Sequence, residues 1–241
     1  MNTLHKKKGR EEHVAFVVEG YKLLSEAIQS GALIKKVYSI ESELPPDFVV
    51  PKCGVIAISP KDMGRISALV SPSPILAIVE KEQQTINWDS MLSSKIVVLD
   101  GIRDPGNLGT IIRTCDWFGI TDIVVSEDTV DVFNGKVIQS TMGSFFRTKV
   151  HYTNLESFFS IVQKKDQFIP VYGAVLGGKP LKESLNKDAE RGCLIVGSES
   201  HGISASVLEH CTDTVTINGS GNAESLNAAI SASIILYEWC A

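Results

Sequence analysis

Short apolar runs, each ended by glycine, serine or proline, alternate along this chain with stretches whose apolar positions recur at helical spacing. Phe16-Val17-Val18-Glu19-Gly20 predicts a strand stopped by glycine. Tyr21 to Ser30 places Leu23, Leu24, Ala27 and Ile28 on one side of a helix, and Gly31 suits its C-terminal end. Val37-Tyr38-Ser39-Ile40 and Val55-Ile56-Ala57-Ile58 predict two more strands. Ser59-Pro60-Lys61-Asp62 predicts a helix start, with serine as N-cap and proline in the first turn. Ile75-Leu76-Ala77-Ile78-Val79 is a further buried strand, and the alternation predicts a small α/β domain over residues 1–82.

The pattern then lapses. Glu80-Lys81-Glu82-Gln83-Gln84 is polar, and residues 83–94 are expected to be a linker. Ile96-Val97-Val98-Leu99-Asp100 opens a second domain over residues 95–241. Strands at 123–126, 171–175, 194–197 and 214–217 alternate there with helical stretches, and Ser225 is a candidate N-cap for the last helix. Continuous apolar strands predict a mostly parallel sheet covered by helices on both faces. In such sheets ligands bind in loops beyond the C-terminal ends of the strands.

The 44% hydrophobic content of 241 residues supplies a sizeable core and excludes wholesale disorder. No apolar run is long enough to span a bilayer. Met1 to Arg10 is basic with no apolar stretch behind it, unlike a secretory signal. The five cysteines are scattered without a CxxC pair, which fits reduced thiols in a cytoplasmic protein and no metal site. The net charge of −5 argues against a uniformly basic nucleic-acid binder, yet residues 1–36 hold seven Lys/Arg against four Glu. Lys6, Lys7, Lys8 and Arg10 are either phosphate contacts or a solvated tail, and charge alone leaves both open.

Three segments sit at strand ends. In Leu99 to Thr114 a strand runs through a Pro/Gly loop into a helix. Asn107 is placed to cap that helix, and Arg113, nearly two turns on, is expected to project from roughly the same side. Gly197-Ser198-Glu199-Ser200-His201-Gly202 is a glycine-bounded loop holding Glu199; it matches neither GxGxxG nor a Walker loop, and His201 has no partner at metal-site spacing. Ile217 to Asn227 is a polar loop entering a helix rich in small residues. Each segment taken singly also has an ordinary structural explanation as a capped helix or a surface loop.

Together, in this order, they resemble the motifs N-x-G-x-x-x-R, G-x-E-x-x-G and I-x(6)-E-S-L-N of the SpoU (TrmH) family of RNA 2′-O-ribose methyltransferases, within the SPOUT superfamily. Asn134 to Ser144 is similar to the family's middle segment, and Lys8 to Ala27 looks like the RNA substrate-binding domain often joined to it, which resembles a ribosomal-protein fold. Ser198, Asn218 and Gly135 depart from the commonest family residues without removing a functional group.

The resemblance implies an α/β C-terminal domain tied in a trefoil knot, a homodimer, and S-adenosylmethionine as cofactor with no metal. It implies that Gly197, Ile217 and Leu226 contact the cofactor, with Gly173 and Gly177 shaping the pocket. Arg113 would act on the ribose hydroxyl, either as a base or by orienting the hydroxyl or a phosphate. Asn107 and Glu199 would hold Arg113 and the loops, while Ser225 and Asn227 would order the cofactor loop and the substrate ribose. Arg147 and Lys149 join the N-terminal cations as candidate RNA contacts. Ribosomal RNA is the expected substrate. Transfer RNA, a non-catalytic RNA-binding assembly protein and a small-molecule enzyme using another nucleotide are the alternatives.

Overall fold

A computed structural model of the protein describes residues 2–40, 45, 48–49, 51–82 and 85–241. In chain order its strands are β1 (Ala15–Glu19), β2 (Ile34–Ser39), β3 (Ile56–Ala57), β4 (Ile75–Glu80), β5 (Lys95–Asp100), β6 (Asp122–Val125), β7 (Lys149–Tyr152), β8 (Val171–Pro180), β9 (Gly192–Gly197) and β10 (Asp213–Thr216). Its helices are α1 (Lys7–Glu12), α2 (Tyr21–Gln29), α3 (Pro60–Ile66), α4 (Trp88–Leu92), α5 (Pro105–Trp117), α6 (Gly135–Thr141), α7 (Leu155–Lys165), α8 (Leu181–Ser184), α9 (Ala205–Leu208) and α10 (Ala228–Cys240). The chain divides into two compact units, Met1–Gln83 with Asp131–Arg147, and Gln84–Val130 with Thr148–Ala241.

The first unit is built on a four-stranded sheet in the order β1-β4-β2-β3, antiparallel except for β2–β3. All five residues of β1 are buried, because both faces of the sheet are covered. Phe16 and Val18 pack on one face with Leu23, Leu24, Val37 and Ile75. Ala15 and Val17 pack on the other with Leu4, Met63 and Leu76. The period-two alternation of a strand thus serves two apolar layers, which is why β1 reads as a continuous hydrophobic run. The serine N-cap of α3 is as expected, with Ser59 Oγ accepting from the Asp62 amide at 3.1 Å.

The expected boundary at residue 95 is corrected in two places. Asn87 caps α4 by accepting from the Ser90 amide, and Met91 and Leu92 are buried in the second unit with Trp88 stacked on Phe158, so residues 87–94 form an ordered part of that unit and not a linker. Gln83 and Gln84 lie outside the described residues. Residues 131–147, expected within the second domain, belong to the first unit. Phe133 and Phe145 place their rings 5.1 and 5.3 Å from that of Phe16, and Ile138 of α6 joins the same apolar layer. Helical spacing shows that α6 has an apolar side but not which sheet receives it.

Arg10 is also corrected. Its side chain is buried: Nε and Nη2 donate to Asp131 Oδ2 at 3.0 and 2.6 Å, and Nη1 donates to the Leu4 carbonyl at 3.0 Å. An arginine engaged inward does not present its charge to a phosphate. Lys6, Lys7 and Lys8 are exposed. Arg147 pairs with Glu26, and Lys149 is exposed.

The second unit carries a six-stranded sheet in the order β10-β8-β9-β5-β6-β7, with every pairing parallel. The interiors of β5 and β9 are buried end to end, as a sheet covered on both faces requires. Strand β7 has no apolar run to announce it; its His151 is buried on an ion-pair partner, Asp122, at 2.9 Å. Asp100 pairs with Gly197, so β5 and β9 end side by side. The β8–β10 register jumps from Gly173↔Thr214 to Lys179↔Val215, which throws residues 174–178 out of the ladder beside those ends.

Removing one partner of a buried ion pair strands the other charge, at a cost of about 3–5 kcal/mol. Asp131→Ala is therefore expected to lower stability by that order in urea denaturation, and Arg10→Met combined with Asp131→Leu to recover most of it. A loss below about 1 kcal/mol for Asp131→Ala would show that the pair contributes little.

Candidate active site

The site is assembled from loops at the C-terminal ends of β5, β6, β9 and β10. At the end of β5, Asp100 Oδ2 accepts from the Ser204 amide at 2.8 Å, tying this strand to the segment after the Gly197–Gly202 loop. Gly101 turns the chain with φ +69°, and its amide donates to Ser126 Oγ at 2.8 Å. Ser126 donates in turn to Asp128 Oδ1 at 2.7 Å, and Asp128 Oδ2 accepts from Arg103 at 3.1 Å. The Ser126 hydrogen bond, helped by Arg103, holds the Asp128 carboxyl below the usual carboxylate range despite partial burial.

Helix α5 is capped by Asp104, whose Oδ1 accepts from the Asn107 amide at 2.9 Å, with Pro105 in the first turn. This corrects the expectation that Asn107 caps the helix. Because Asp104 takes that role, the Asn107 carboxamide turns outward. Its Nδ2 donates to Glu199 Oε1, and its Oδ1 accepts from Asn227 Nδ2 at 3.0 Å. Asn227 in turn caps α10, its Oδ1 accepting from the amides of Ala229 and Ile230 at 3.0 and 3.3 Å. Asn227, not Ser225, is the N-cap, since the helix begins at Ala228. One asparagine side chain thereby joins all three segments.

The glycines of the Gly197–Gly202 loop have a steric cause within the loop itself. A Cβ on Gly197 would lie 2.1 Å from the Gly202 carbonyl carbon. Gly202 has φ +67°, a conformation that favours glycine, and its amide donates to the Ser198 carbonyl at 2.9 Å. The loop therefore folds tightly on itself and leaves Glu199, Ser200 and His201 exposed.

Of the residues expected at the site, Asn107, Glu199 and Asn227 are bonded together and Gly197 lies at the base of the same loop. Ile217 is half-buried just past β10, while Ser225 and Leu226 are exposed before α10. Arg113 is exposed and makes no hydrogen bond or ion pair with a described residue. Six residues of a 3.6-residue helix turn its side chain about 120° from that of Asn107, so the two do not share a side. Sequence reasoning missed Asp100, Asp104, Ser126 and Asp128. The Asp104-Pro105 dipeptide is a readable helix start. The other contacts join residues whose proximity only the folded sheet creates.

Burial pushes the Cys193 thiol up to about 12 and that of Cys211 up to about 11, so neither is an activated nucleophile. Among the described residues no group of three or more His, Cys, Asp or Glu side chains is placed to hold a metal ion. A cavity of about 750 Å³ lined by Phe168, Tyr172, Asn186 and Arg191 lies at the N-terminal ends of β8 and β9, the wrong edge of the sheet for these loops.

Residues 94–237 match the SpoU rRNA Methylase family, and residues 1–77 match an MRM3-like substrate binding domain. The 23S rRNA (guanosine(2553)-2′-O)-methyltransferase RlmP of Bacillus subtilis is 33% identical over 97% of this chain and 92% of its own. Among solved structures, a TrmH-family protein from Porphyromonas gingivalis is 34% identical with a TM-score of 0.85, covering 98% of this chain and 94% of that one. An AdoMet-bound rRNA methyltransferase from Sinorhizobium meliloti is 29% identical with a TM-score of 0.83, covering 98% and 91%. The chain belongs to the SpoU rRNA Methylase family.

Gly197→Ala forces a methyl group into the Gly202 backbone, and the loop must open. Overpacking of this kind costs about 1–3 kcal/mol. A lower denaturation midpoint and faster proteolysis within residues 198–203 are expected; an unchanged midpoint and cleavage pattern would refute the steric account.

Proposed function

We propose that this protein transfers a methyl group from S-adenosylmethionine to a ribose 2′-hydroxyl of ribosomal RNA. The observation that carries this reading is the Asn107 carboxamide bridging Glu199 and Asn227, because it gathers the three family motifs at one edge of the sheet with Arg113 exposed on the same helix as Asn107.

The chain offers a fitting cradle for the cofactor. The loops after β9 and β10 lie beside residues 175–178 of β8, where the β8–β10 register breaks, on adjacent strands of the sheet. Gly197 and Ile217 flank this cradle and Leu226, exposed before α10, supplies a further apolar wall for an adenine. When bound, S-adenosylmethionine supplies an activated methyl on a sulfonium, so the protein's task is alignment and removal of a proton. Glu199 and Asn227, locked by Asn107, hold the loops on either side, and Ser225 orders the segment between them. Arg113 orients the hydroxyl or its neighbouring phosphate through its planar guanidinium, and the proton leaves to that phosphate or to water. DNA lacks the reacting hydroxyl, which gives selectivity for RNA.

The finer family features follow as parts of the same proposal. The self-folded 197–202 loop and the irregular 217–227 segment form the trefoil knot. The protein is a homodimer through α5 and α10, which are joined by Thr114–Ser233 and leave Trp117, Ile230, Ile234 and Tyr237 exposed. Lys6, Lys7 and Lys8 track RNA phosphates. A cytoplasmic location is part of the same proposal, supported by five unpaired thiols. No described helix is long and apolar enough to cross a membrane.

The test is transfer of labelled methyl to unmodified 23S and 16S rRNA transcripts. Arg113→Ala is expected to slow transfer about 100-fold or more while cofactor affinity by calorimetry stays within a few-fold. Undiminished turnover would remove Arg113 from the mechanism, and wild-type protein that binds RNA and cofactor without transfer would favour a binding module. Sedimentation should find a dimer, converted by Ile234→Asp to an inactive monomer; an active monomer would contradict the dimer proposed as the working form.

A further inference from the structure

Arg103 lies on the loop between β5 and α5, among the site loops, and its side chain is 71% exposed. One of its donors, Nη2, reaches Asp128 Oδ2 at 3.1 Å; the remaining donors of the guanidinium have no partner among the described residues. The partner carboxylate is held unusually firmly for a surface group. Its second oxygen accepts from Ser126, which is itself fixed by the Gly101 amide. A Cβ built on Gly101 would sit 3.5 Å from Asp128 Oδ2 and 3.9 Å from Ser198 Cβ, so the pair stands against the start of the Gly197–Gly202 loop. An exposed ion pair of this kind adds at most about 1 kcal/mol to stability. What the arrangement does is aim a half-used guanidinium outward at the sheet edge where ligands bind. The second unit is acidic, with seventeen Asp/Glu against ten Lys/Arg over residues 84–130 and 148–241, so cations that meet RNA there must be placed individually.

We propose that Arg103 binds a phosphodiester of the RNA strand beside the reacting ribose. A planar fork with free donors matches two phosphate oxygens. The inference rests on the methyltransferase reading above and adds a substrate-binding residue to it.

Anisotropy of a fluorescein-labelled, mixed-sequence single-stranded RNA, read across a salt series, tests it alongside steady-state methyl transfer. Arg103→Gln should weaken binding about tenfold and shallow the log–log salt slope by about 0.7, one phosphate on a single strand. It should raise the KM for RNA with little change in kcat or in cofactor affinity. Arg103→Lys should keep the slope, and Asp128→Asn, which frees the arginine without removing it, should keep both slope and affinity within a few-fold. Wild-type affinity and slope in Arg103→Gln would overturn the proposal. So would equal losses in Arg103→Gln and Asp128→Asn accompanied by equal falls in Tm, the signature of a purely structural pair. Wild-type protein that transfers no methyl and binds no S-adenosylmethionine overturns the reading beneath it, a result separable from either of these.

Discussion

An amide side chain has a donor end and an acceptor end, and in Asn107 both are spent on other segments of the chain. Glu199 accepts from one and Asn227 donates to the other, so the first turn of α5, the loop after β9 and the N-terminus of α10 share one planar group. The geometry depends on Asp104 having already satisfied the helix start. Had Asn107 folded back as the cap, the loops at the sheet edge would have lost the group that registers them. Asn227 does double duty in the same way, one end capping α10 and the other reaching Asn107.

Around this link the backbone is tight wherever a side chain would obstruct it. Gly197 has no room for a Cβ, and Asp100 ties the end of β5 to Ser204. The result is a rigid floor at the edge where parallel sheets bind ligands. Arg113 stands apart from the polar cluster, exposed and without a partner among the described residues. That separation suits a residue whose charge is directed at a substrate and not absorbed by the protein.

The first unit is not made from the N-terminal third alone. Phe133, Ile138, Phe145 and Phe146 arrive from between β6 and β7 to complete the apolar layer around Phe16, and Asp131 neutralises the buried Arg10. The covalent order of the chain therefore binds the basic N-terminal helix and the middle motif into one folding unit. A fragment ending at residue 83 would expose that layer and leave a buried arginine unpaired, which explains why this cation belongs to the core and its neighbours Lys6 to Lys8 do not.

Many strands and helices of both units were legible by periodicity: β1, α2 and β4 of the first and β5 and β9 of the second fall where apolar runs and helical spacing place them, and the order of three short motifs identified the family. These features depend on local burial patterns and on spacing along the chain, which a linear sequence carries. Other features required the tertiary structure. Helical spacing cannot say which sheet α6 covers, so the assignment of residues 131–147 waited on the packing of Phe16. Charge cannot say whether an arginine faces water, so phosphate contact and solvated tail were both open for Arg10, which Asp131, 121 residues away, instead holds inward. Spacing made Asn107 the expected cap of α5, but Asp104 takes that role, and the arrival of Glu199 and Asn227 at the same sheet edge gives the asparagine its other use.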